Sequence, residues 1–290
     1  MLAVNNVYCG DCLELLKEVD DNSIALVVTS PPYFNARDYS SWPTFDDYCK
    51  FINAVMSELK RCIMEGGFIC WNVSGRIICN GTKYSLGFAS QAILEKFFSF
   101  YDIIVWVKQQ GTIFNVTSAG YQKYSKDGGR PVRLIQRHEF IYVYFKGKNC
   151  DLNKSKVGKQ TDKNFLYWSN VLSLPGARAH FLDGGKTRTV HTAPFSEVLA
   201  STMIDWFLLN DGIVLDPFGG SGTVGAVSNK LGNDFILFEL NSGYCEACCR
   251  RMGIDGYIKD GELVSVPIVG YSYGDYSEFD FRRSDGKKQM

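Results

Sequence analysis

The sequence predicts an α/β fold built on an open, mostly parallel twisted sheet. The first observation is a set of short apolar runs rich in β-branched residues, such as IALVVTS at 24–30 and GIVLDPF at 212–218. Such runs have the length and composition of strands buried on both faces. The second observation is that segments with helical spacing separate these runs. Alternation of this kind is typical of a parallel sheet with helices on both sides.

The first half of the chain contains most of the predicted strands. The helix that follows the second strand begins at Thr44, a residue that suits an N-cap, and ends at Gly66 and Gly67, because glycine commonly terminates a helix. Pro31 and Pro32 stop the second strand, since proline cannot donate to a sheet ladder. The predicted strands are 5–11, 24–30, 68–74, 101–109 and 138–147, and the predicted helices are 12–19, 44–67 and 85–97.

The apolar period is lost between about 148 and 190, where Lys and Asn are frequent and a small irregular insert is expected. It returns with a helix at 194–208, a buried strand at 212–218 and a glycine-rich turn that opens a helix ending near Gly232. A further strand follows at 234–240. The tail after about 263 has little period, and we expect it to be poorly ordered.

Composition excludes two broad classes. Hydrophobic residues make up 46% of the 290 residues and charged residues 21%, so the chain can bury a sizeable core and is not globally disordered. No apolar run approaches the roughly 20 residues needed to span a bilayer. The start, MLAVNNVYCGD, lacks the pattern of a signal peptide, and the ten cysteines are scattered. Reduced thiols and a cytoplasmic location are therefore expected.

Charge is unevenly distributed along the chain. The formal net charge is zero, but the stretch 120–188 contains 14 Lys or Arg and 5 Asp or Glu, which gives it a net charge of +9. This asymmetry indicates a polyanionic partner, such as nucleic acid, that faces one region. The alternative is a solvated lysine-rich loop, because charged loops are common on protein surfaces.

The first chemically informative segment is the glycine turn VLDPFGGSGTVG at 214–225, which follows a buried strand and opens a helix. Gly219, Gly220 and Gly222 leave room for a ligand, and the helix N-terminus offers free amides. No Lys follows as in an ATP phosphate loop, and the GxGxxG register is absent. Glu239 ends the next strand, where an acid can accept ribose hydroxyls. The alternative is a turn that only packs helix against strand.

The second segment is the proline turn TSPPY at 29–33, which also follows a buried strand. Two consecutive prolines fix the backbone, so the Pro31 carbonyl is held in one direction. That carbonyl and the Ser30 hydroxyl can both accept hydrogen bonds from an NH₂ group, and Tyr33 supplies a ring for stacking. Two hydrogen-bond acceptors beside an aromatic ring suit a flat base with an exocyclic amine. The alternative is an ordinary proline turn.

Together, TSPPY and LDPFGGSGT (215–223) resemble the amino-methyltransferases of bacterial DNA modification. In that family the proline turn is motif IV and the glycine turn is motif I. Motif IV comes first here, which resembles the β-class, whose Rossmann-like methyltransferase fold is circularly permuted. The elements Gly10–Asp11, Arg137–Glu139 and HTAPFSEVLASTMI (191–204) are also similar to family segments.

The resemblance implies a role for each matching residue, with S-adenosyl-L-methionine as the cofactor. Glu239 would hold the ribose, Asp11 the adenine edge, and His191 to Pro194 would close the pocket. Ser30, Pro31, Pro32 and Tyr33 would form the catalytic turn around the flipped target base. The methionine part of the cofactor would be lined by Asp216, Pro217, Phe218, Gly219, Gly220, Ser221, Gly222 and Thr223.

The resemblance also implies a domain organisation. Residues 1–147 and 191–262 would form the catalytic and cofactor-binding domain, 148–190 a short target-recognition insert, and 263–290 a C-terminal tail. Double-stranded DNA is the expected substrate, a cognate restriction endonuclease is a candidate partner, and the protein is expected to be a monomer or homodimer. Candidate DNA contacts are Arg37, Arg130, Arg133, Trp168, Arg178, Lys186 and Arg188.

Two pairs of cysteines have the CxxC spacing of zinc ligands, Cys9 with Cys12 and Cys245 with Cys248. Both pairs fall within elements that the resemblance already explains, and small buried thiols often serve as apolar filler. The three histidines do not form a spaced cluster. We therefore expect no metal.

The chemistry expected is transfer to an exocyclic amino nitrogen. Methylation at cytosine C5 uses a cysteine presented by a Pro-Cys pair, and none of the eight prolines is followed by Cys. Within the family, a Ser before Pro-Pro-Tyr favours cytosine N4 and an Asp favours adenine N6, so Ser30 favours cytosine and leaves adenine as the alternative. Further alternatives are methylation of RNA or of a protein amide, and a catalytically inactive nucleic-acid-binding module.

Overall fold

The computed structural model describes residues 2–35, 41–109, 137–150, 170–175, 181–182, 187–188 and 196–267. The strands in these ranges are β1 (Asn6–Cys9), β2 (Ile24–Thr29), β3 (Ile63–Val73), β4 (Ile77–Cys79), β5 (Thr82–Tyr84), β6 (Ser99–Gln109), β7 (His138–Phe145), β8 (Val171–Pro175), β9 (Phe181–Leu182), β10 (Thr187–Arg188), β11 (Ile213–Asp216), β12 (Phe235–Glu239), β13 (Gly256–Lys259) and β14 (Glu262–Ser265). The helices are α1 (Cys12–Lys17), α2 (Phe45–Cys62), α3 (Leu86–Leu94), α4 (Glu197–Phe207), α5 (Thr223–Leu231) and α6 (Ser242–Met252).

One large sheet organises these elements, in the order β14-β13-β1-β12-β11-β2-β3-β7-β6-β8. The six strands from β13 to β3 are parallel, while β7 is antiparallel to both of its neighbours. The predicted α/β fold with a mostly parallel sheet is confirmed. The pairs β4–β5 and β9–β10 form separate small antiparallel sheets.

Helices cover both faces of the sheet, as the buried apolar strands require. Helices α4, α5 and α6 pack on one face, and α1, α2 and α3 pack on the other. Every residue of β2 is buried, from Ile24 to Thr29. An all-buried apolar strand is what a doubly covered parallel sheet needs, because neither face meets water.

The strand order reverses between β11 and β2. After β11 the chain passes through α5 to β12 on one side, and after β2 it passes through α2 to β3 on the other side. In open α/β sheets, ligands bind in the crevice at the carboxyl ends of the strands where the order reverses in this way. The glycine turn follows β11 and the proline turn follows β2, so both predicted segments meet at this crevice.

The predicted N-cap of α2 is confirmed, and its predicted end is wrong. The Thr44 hydroxyl accepts from the Asp47 amide, but the helix stops at Cys62 instead of Gly66–Gly67. Ile63 is already extended and pairs with Ile24 of β2. Sheet pairing therefore begins three residues before the first glycine, and Gly66, with φ +78°, lies within β3 instead of ending a helix.

Several elements have no counterpart among the predicted ones. Helix α6 and the hairpin β13–β14 follow the last predicted strand, and β4–β5 is a hairpin of two three-residue strands. Strand β8 lies inside the stretch 148–190, where the sequence shows no period, and it extends the main sheet by pairing in parallel with β6. No helix in the part of the chain that the structure describes is long and apolar enough to cross a membrane.

Candidate functional site

The glycine turn joins the end of β11 to the start of α5. Gly222 is the N-cap of α5 and has φ +73°, a left-handed conformation that favours glycine. A Cβ atom at this position would lie 2.8 Å from Sγ of Cys248 in α6. Both the conformation and the close approach of α6 therefore require glycine here. Because glycine has no side chain to cap the helix, the turn leaves the helix N-terminus open to a ligand.

Glu239 closes this turn from the end of the neighbouring strand β12. Its Oε2 accepts from the amide of Gly220 at 2.8 Å, and its Oε1 accepts from the amide of Asn241 at 2.8 Å. Burial raises the pKa of the Glu239 carboxyl, while these amides and that of Leu240 lower it. Each carboxylate oxygen has lone pairs left for a further donor. Glu239 can therefore accept hydrogen bonds from hydroxyl groups of a ligand while it holds the turn.

Asp216 is the last residue of β11 and is 4% exposed. Its Oδ1 accepts from the Thr29 hydroxyl at 2.6 Å and from the Phe218 amide at 3.0 Å. The pKa of the Asp216 carboxyl is raised to about 7, chiefly by burial; the hydrogen bonds from Thr29 and Phe218 act against this rise, and the charge of Glu239 adds to it. A cationic group of a ligand would stabilise the ionised form of this buried carboxyl.

The proline turn follows β2 directly, and Tyr33 is fixed within it. The Tyr33 hydroxyl accepts a 2.9 Å hydrogen bond from the amide of Ser74, just after β3. Burial raises the pKa of Tyr33 well above its usual value, and the charge of Glu139 adds to this, whereas Ser30 and the Ser74 amide lower it. Pro31 is buried and Ser30 is half-buried. The turn therefore presents a polar edge on a rigid backbone.

Aromatic packing supports the proline turn from behind. The centroid of the Phe34 ring lies 5.2 Å from that of Tyr84 in β5 and 5.3 Å from that of Phe45 in α2, and both pairs are edge-to-face. The Phe218 ring of the glycine turn lies 6.1 Å from that of Trp71 in β3. Edge-to-face pairs of this kind add to the stability gained from burial alone. Both turns thus rest on the same apolar face of the sheet.

Asp11 lies at the same edge of the sheet, two residues after β1. Cys9 is in register with Glu239, and the amide of Gly10 donates to the Glu239 carbonyl at 3.0 Å. Asp11 is exposed, and its carboxylate caps α1 by accepting from the Leu13 amide at 2.8 Å. Its second carboxylate oxygen can accept from a ligand beside Glu239.

The structure thus brings most of the predicted site residues to one edge of the sheet. The proline turn, the glycine turn, Glu239 and Asp11 follow four neighbouring strands, β2, β11, β12 and β1. His191 and Pro194 lie outside the described residues. So do the candidate DNA contacts Arg37, Arg130, Arg133, Trp168, Arg178 and Lys186, together with the side chain of Arg188, whose backbone is in β10.

Sequence patterns alone did not indicate the contacts through which four residues hold this site together. Thr29 links the two turns, and Ser74 anchors Tyr33. Arg251 of α6 donates to the carbonyl of Ser221 at 3.0 Å and pairs with Glu197 of α4. These contacts span 30 to 187 residues along the chain, so no local motif reports them.

The cysteines with CxxC spacing are buried free thiols. Burial raises the pKa of Cys12 to about 12 and also raises those of Cys245 and Cys248. Cys248 donates to the carbonyl of Gly220 at 3.2 Å, so it packs against the glycine turn. Across the described ranges, no group of three or more His, Cys, Asp or Glu residues could hold a metal ion.

Comparison with known proteins gives relatives of one kind. The type II β methyltransferase M.BslI of a Bacillus species is 29% identical over 263 residues, which cover 85% of this chain and 27% of that protein. The type II methyltransferase M.BglII of Bacillus subtilis is 25% identical over 256 residues, covering 84% of this chain and 67% of that protein. The chain thus spans about a quarter of the first relative and two thirds of the second.

Solved structures show the same fold. The cytosine-N4-specific PvuII DNA methyltransferase matches with a TM-score of 0.65 at 20% identity, covering 84% of this chain and 85% of that chain. The M1.HpyAVI–SAM complex matches with a TM-score of 0.57 at 22% identity, covering 86% and 99%. The DNA methylase family model of the N6/N4 type matches residues 24–250, well over half of the sequence. The chain therefore belongs to this DNA methylase family.

Proposed function

We propose that this protein is a site-specific DNA methyltransferase that moves a methyl group from S-adenosyl-L-methionine to the exocyclic amino group of a flipped base, with cytosine N4 favoured over adenine N6. The observation that carries the proposal is the junction of the two turns. The hydroxyl of Thr29, the first residue of the proline turn, donates to Asp216 in the first part of the glycine turn. A base held by one turn and a methyl donor held by the other would therefore be neighbours.

The glycine-turn side fits each part of S-adenosyl-L-methionine, which supplies an electrophilic methyl group on a positively charged sulfur. Glu239 has lone pairs for the ribose hydroxyls, and Asp11 stands beside it for the adenine edge. The open N-terminus of α5 suits the carboxylate of the methionine part. Asp216 is a buried carboxyl whose ionised form a nearby cation stabilises.

The proline-turn side fits the amino group of a base. Ser30 and the carbonyl of Pro31 accept its two N–H groups, which localises the nitrogen lone pair that is otherwise conjugated with the ring. Tyr33, whose hydroxyl accepts from the Ser74 amide, would stack on the base. The work of these residues is alignment, and correct alignment of two reactants can lower a barrier by roughly 7–11 kcal/mol.

A duplex substrate requires the base to leave the stack, which costs a few kcal/mol. The stretch 120–188, with its net charge of +9, offers phosphate contacts that can offset this cost. Relatives named type II methyltransferases support site-specific modification of DNA and make a cognate restriction endonuclease a candidate partner. Ser30 before Pro-Pro-Tyr favours cytosine, as the family pattern implies.

The test is direct identification of the product. Purified protein is incubated with S-adenosyl-L-methionine and unmethylated genomic DNA, and the DNA is digested to nucleosides for mass spectrometry. We expect N4-methylcytosine from the wild type and at least tenfold less from Ser30→Ala. The control Ser99→Ala removes a hydroxyl that bonds to the Gly147 carbonyl at the opposite edge of the sheet, and should leave the yield unchanged.

Other outcomes assign the remaining alternatives. N6-methyladenine would change the base and keep the mechanism. Cofactor binding without either product would contradict the DNA substrate, and RNA and protein amides would then be assayed. Failure of the wild type to bind S-adenosyl-L-methionine would contradict the enzyme itself and favour an inactive nucleic-acid-binding module.

A further inference from the structure

Arg251 lies behind the glycine turn, in the last turn of α6. Its side chain is buried, with 5% exposed, and it makes an ion pair with Glu197 in the first turn of α4. Its Nη1 donates to the Ser221 carbonyl and to the Thr223 hydroxyl, both at 3.0 Å, and to the Ser221 hydroxyl at 3.4 Å. One guanidinium thus connects α6, α4 and the turn that opens α5.

The contact with the Ser221 carbonyl fixes one peptide plane. The carbonyl of Ser221 and the amide of Gly222 belong to the same planar unit, so holding one orients the other. The Gly222 amide donates to the Gly219 carbonyl at 2.8 Å, which closes the turn. Gly222 has no side chain to restrict this plane, and its φ is +73°. Arg251 therefore supplies the restraint that a side chain at Gly222 cannot.

The position of this charge is unusual. A helix N-terminus carries a partial positive charge, so a buried cation beside it is unfavourable unless an anion compensates. Glu197 compensates in part from α4, but the guanidinium donates to the turn through a different nitrogen. The guanidinium therefore brings a positive charge to the start of α5, and that charge favours an anionic ligand group.

On the basis of the proposed function, we infer that Arg251 is a positioning residue for the carboxylate of the methionine part of the cofactor. It holds the Ser221–Gly222 peptide in the shape that presents the first amides of α5, and it adds positive potential behind them. Glu197 balances the charge of the guanidinium, and the contacts with Ser221 and Thr223 hold it at the turn. Arg251 does not touch the reacting atoms, so it acts on binding of the carboxylate end and leaves the chemical step alone.

The experiment compares two thioether ligands that lack the sulfonium charge and differ at this end. S-adenosylhomocysteine carries the amino-carboxylate group, and 5′-methylthioadenosine has the same nucleoside and thioether without it. Their dissociation constants are measured by calorimetry on the full chain. The main variant is the double substitution Arg251→Met with Glu197→Gln, because it removes both buried charges and leaves neither one unpaired. Thermal unfolding is recorded for every variant.

We expect the double variant to raise the dissociation constant of S-adenosylhomocysteine by roughly 10- to 100-fold, as loss of a charge-assisted interaction implies. Binding of 5′-methylthioadenosine should change by less than about twofold, within the scatter expected for a site left intact. Arg251→Lys should recover part of the loss, since it keeps the charge and loses the forked geometry. Glu197→Gln alone keeps Arg251 and should retain the preference for S-adenosylhomocysteine. In turnover, KM for the cofactor should rise while kcat stays within about twofold, as for loss of ground-state binding.

A purely structural role predicts a different pattern. If the double variant raises the dissociation constants of both ligands by the same factor, or raises neither, the inference is wrong. If Glu197→Gln loses the preference as fully as the double variant, the pair and not the arginine is responsible, and the inference is again wrong. If the wild type binds neither ligand, the proposed function itself fails, which is distinct from either result.

Discussion

The hydroxyl of Thr29 donates a 2.6 Å hydrogen bond to the carboxyl group of Asp216, and both residues are almost fully buried. Thr29 is the last residue of β2 and Asp216 the last of β11, so the bond joins the two central strands at the point where the strand order reverses. This contact thus links the proline turn directly to the glycine turn.

The substitution Thr29→Val should destabilise the fold and raise the pKa of Asp216 further. It removes the hydrogen bond that lowers this pKa and leaves the buried carboxyl without that donor. We expect a loss of about 1–3 kcal/mol in the free energy of unfolding, measured with urea at neutral pH. The control Thr202→Val removes a hydroxyl that bonds only to the Val198 carbonyl within α4 and should cost less. Equal losses would contradict the prediction.

Asp216 should make stability depend on pH. Its folded pKa, about 7, lies above the usual 3.8 because of burial, so the folded state binds the proton more tightly than the unfolded state does. The stabilisation is therefore complete below about pH 4 and is lost as the pH rises to 7. Between pH 5 and pH 8 the wild type should lose about 2–3 kcal/mol relative to Asp216→Asn. A constant difference between the two proteins over this range would show that Asp216 titrates normally.

Substitution of Gly222 should abolish cofactor binding, whereas the same change ten residues later should not. Gly222 and Gly232 have φ values of +73° and +72°, so alanine costs roughly 1–2 kcal/mol of backbone strain at either position. A Cβ at Gly222 would also meet Cys248 Sγ at 2.8 Å, whereas one at Gly232 meets nothing within 4 Å. Gly222→Ala should lose binding of S-adenosylhomocysteine and Gly232→Ala should keep it. Similar binding by both variants would contradict the tight fit of the turn.

Tyr33→Phe should have a larger effect on the activation free energy, measured through kcat, than on the free energy of unfolding. The hydroxyl is the acceptor for the Ser74 amide, so the ring loses its anchor and the amide loses a partner. We expect kcat to fall by about 10-fold, as for loss of one hydrogen bond that aligns a reacting group. Tyr8→Phe is the matched control, because its hydroxyl donates to the Ala3 carbonyl at 2.8 Å and takes no part in the proline turn. An equal effect on kcat in both variants would reject a specific role for Tyr33.

The parts of the fold that the sequence predicts are those governed by local pattern. β2 and β12 are continuous apolar runs, and Thr44 is a residue whose side chain caps its own helix. The helix end predicted at Gly66 is wrong because the pairing of Ile63 with Ile24 ends the helix before the glycine is reached. Pairing between distant segments is not written in any short stretch of residues.

The candidate site divides in the same way. Residues of the two turns were predicted because proline and glycine have conformational requirements that are visible in the sequence. Ser74 and Arg251 act through a backbone amide and a buried guanidinium that reach the turns from other elements. Neither has a local signature, since an arginine on a helix is ordinarily solvated.

The central position of β11 also constrains how the chain is made. β2 is synthesised before β11 and pairs with β3 nearby, but its other edge has no partner until β11 is made, almost two hundred residues later. Until then, the backbone amides and carbonyls along that edge have no ladder partner, and an exposed edge of this kind promotes association between chains. A nascent chain that ends before β11 would therefore carry a half-sheet with an unpaired edge, and the candidate site forms only after β11 and β12 have been made.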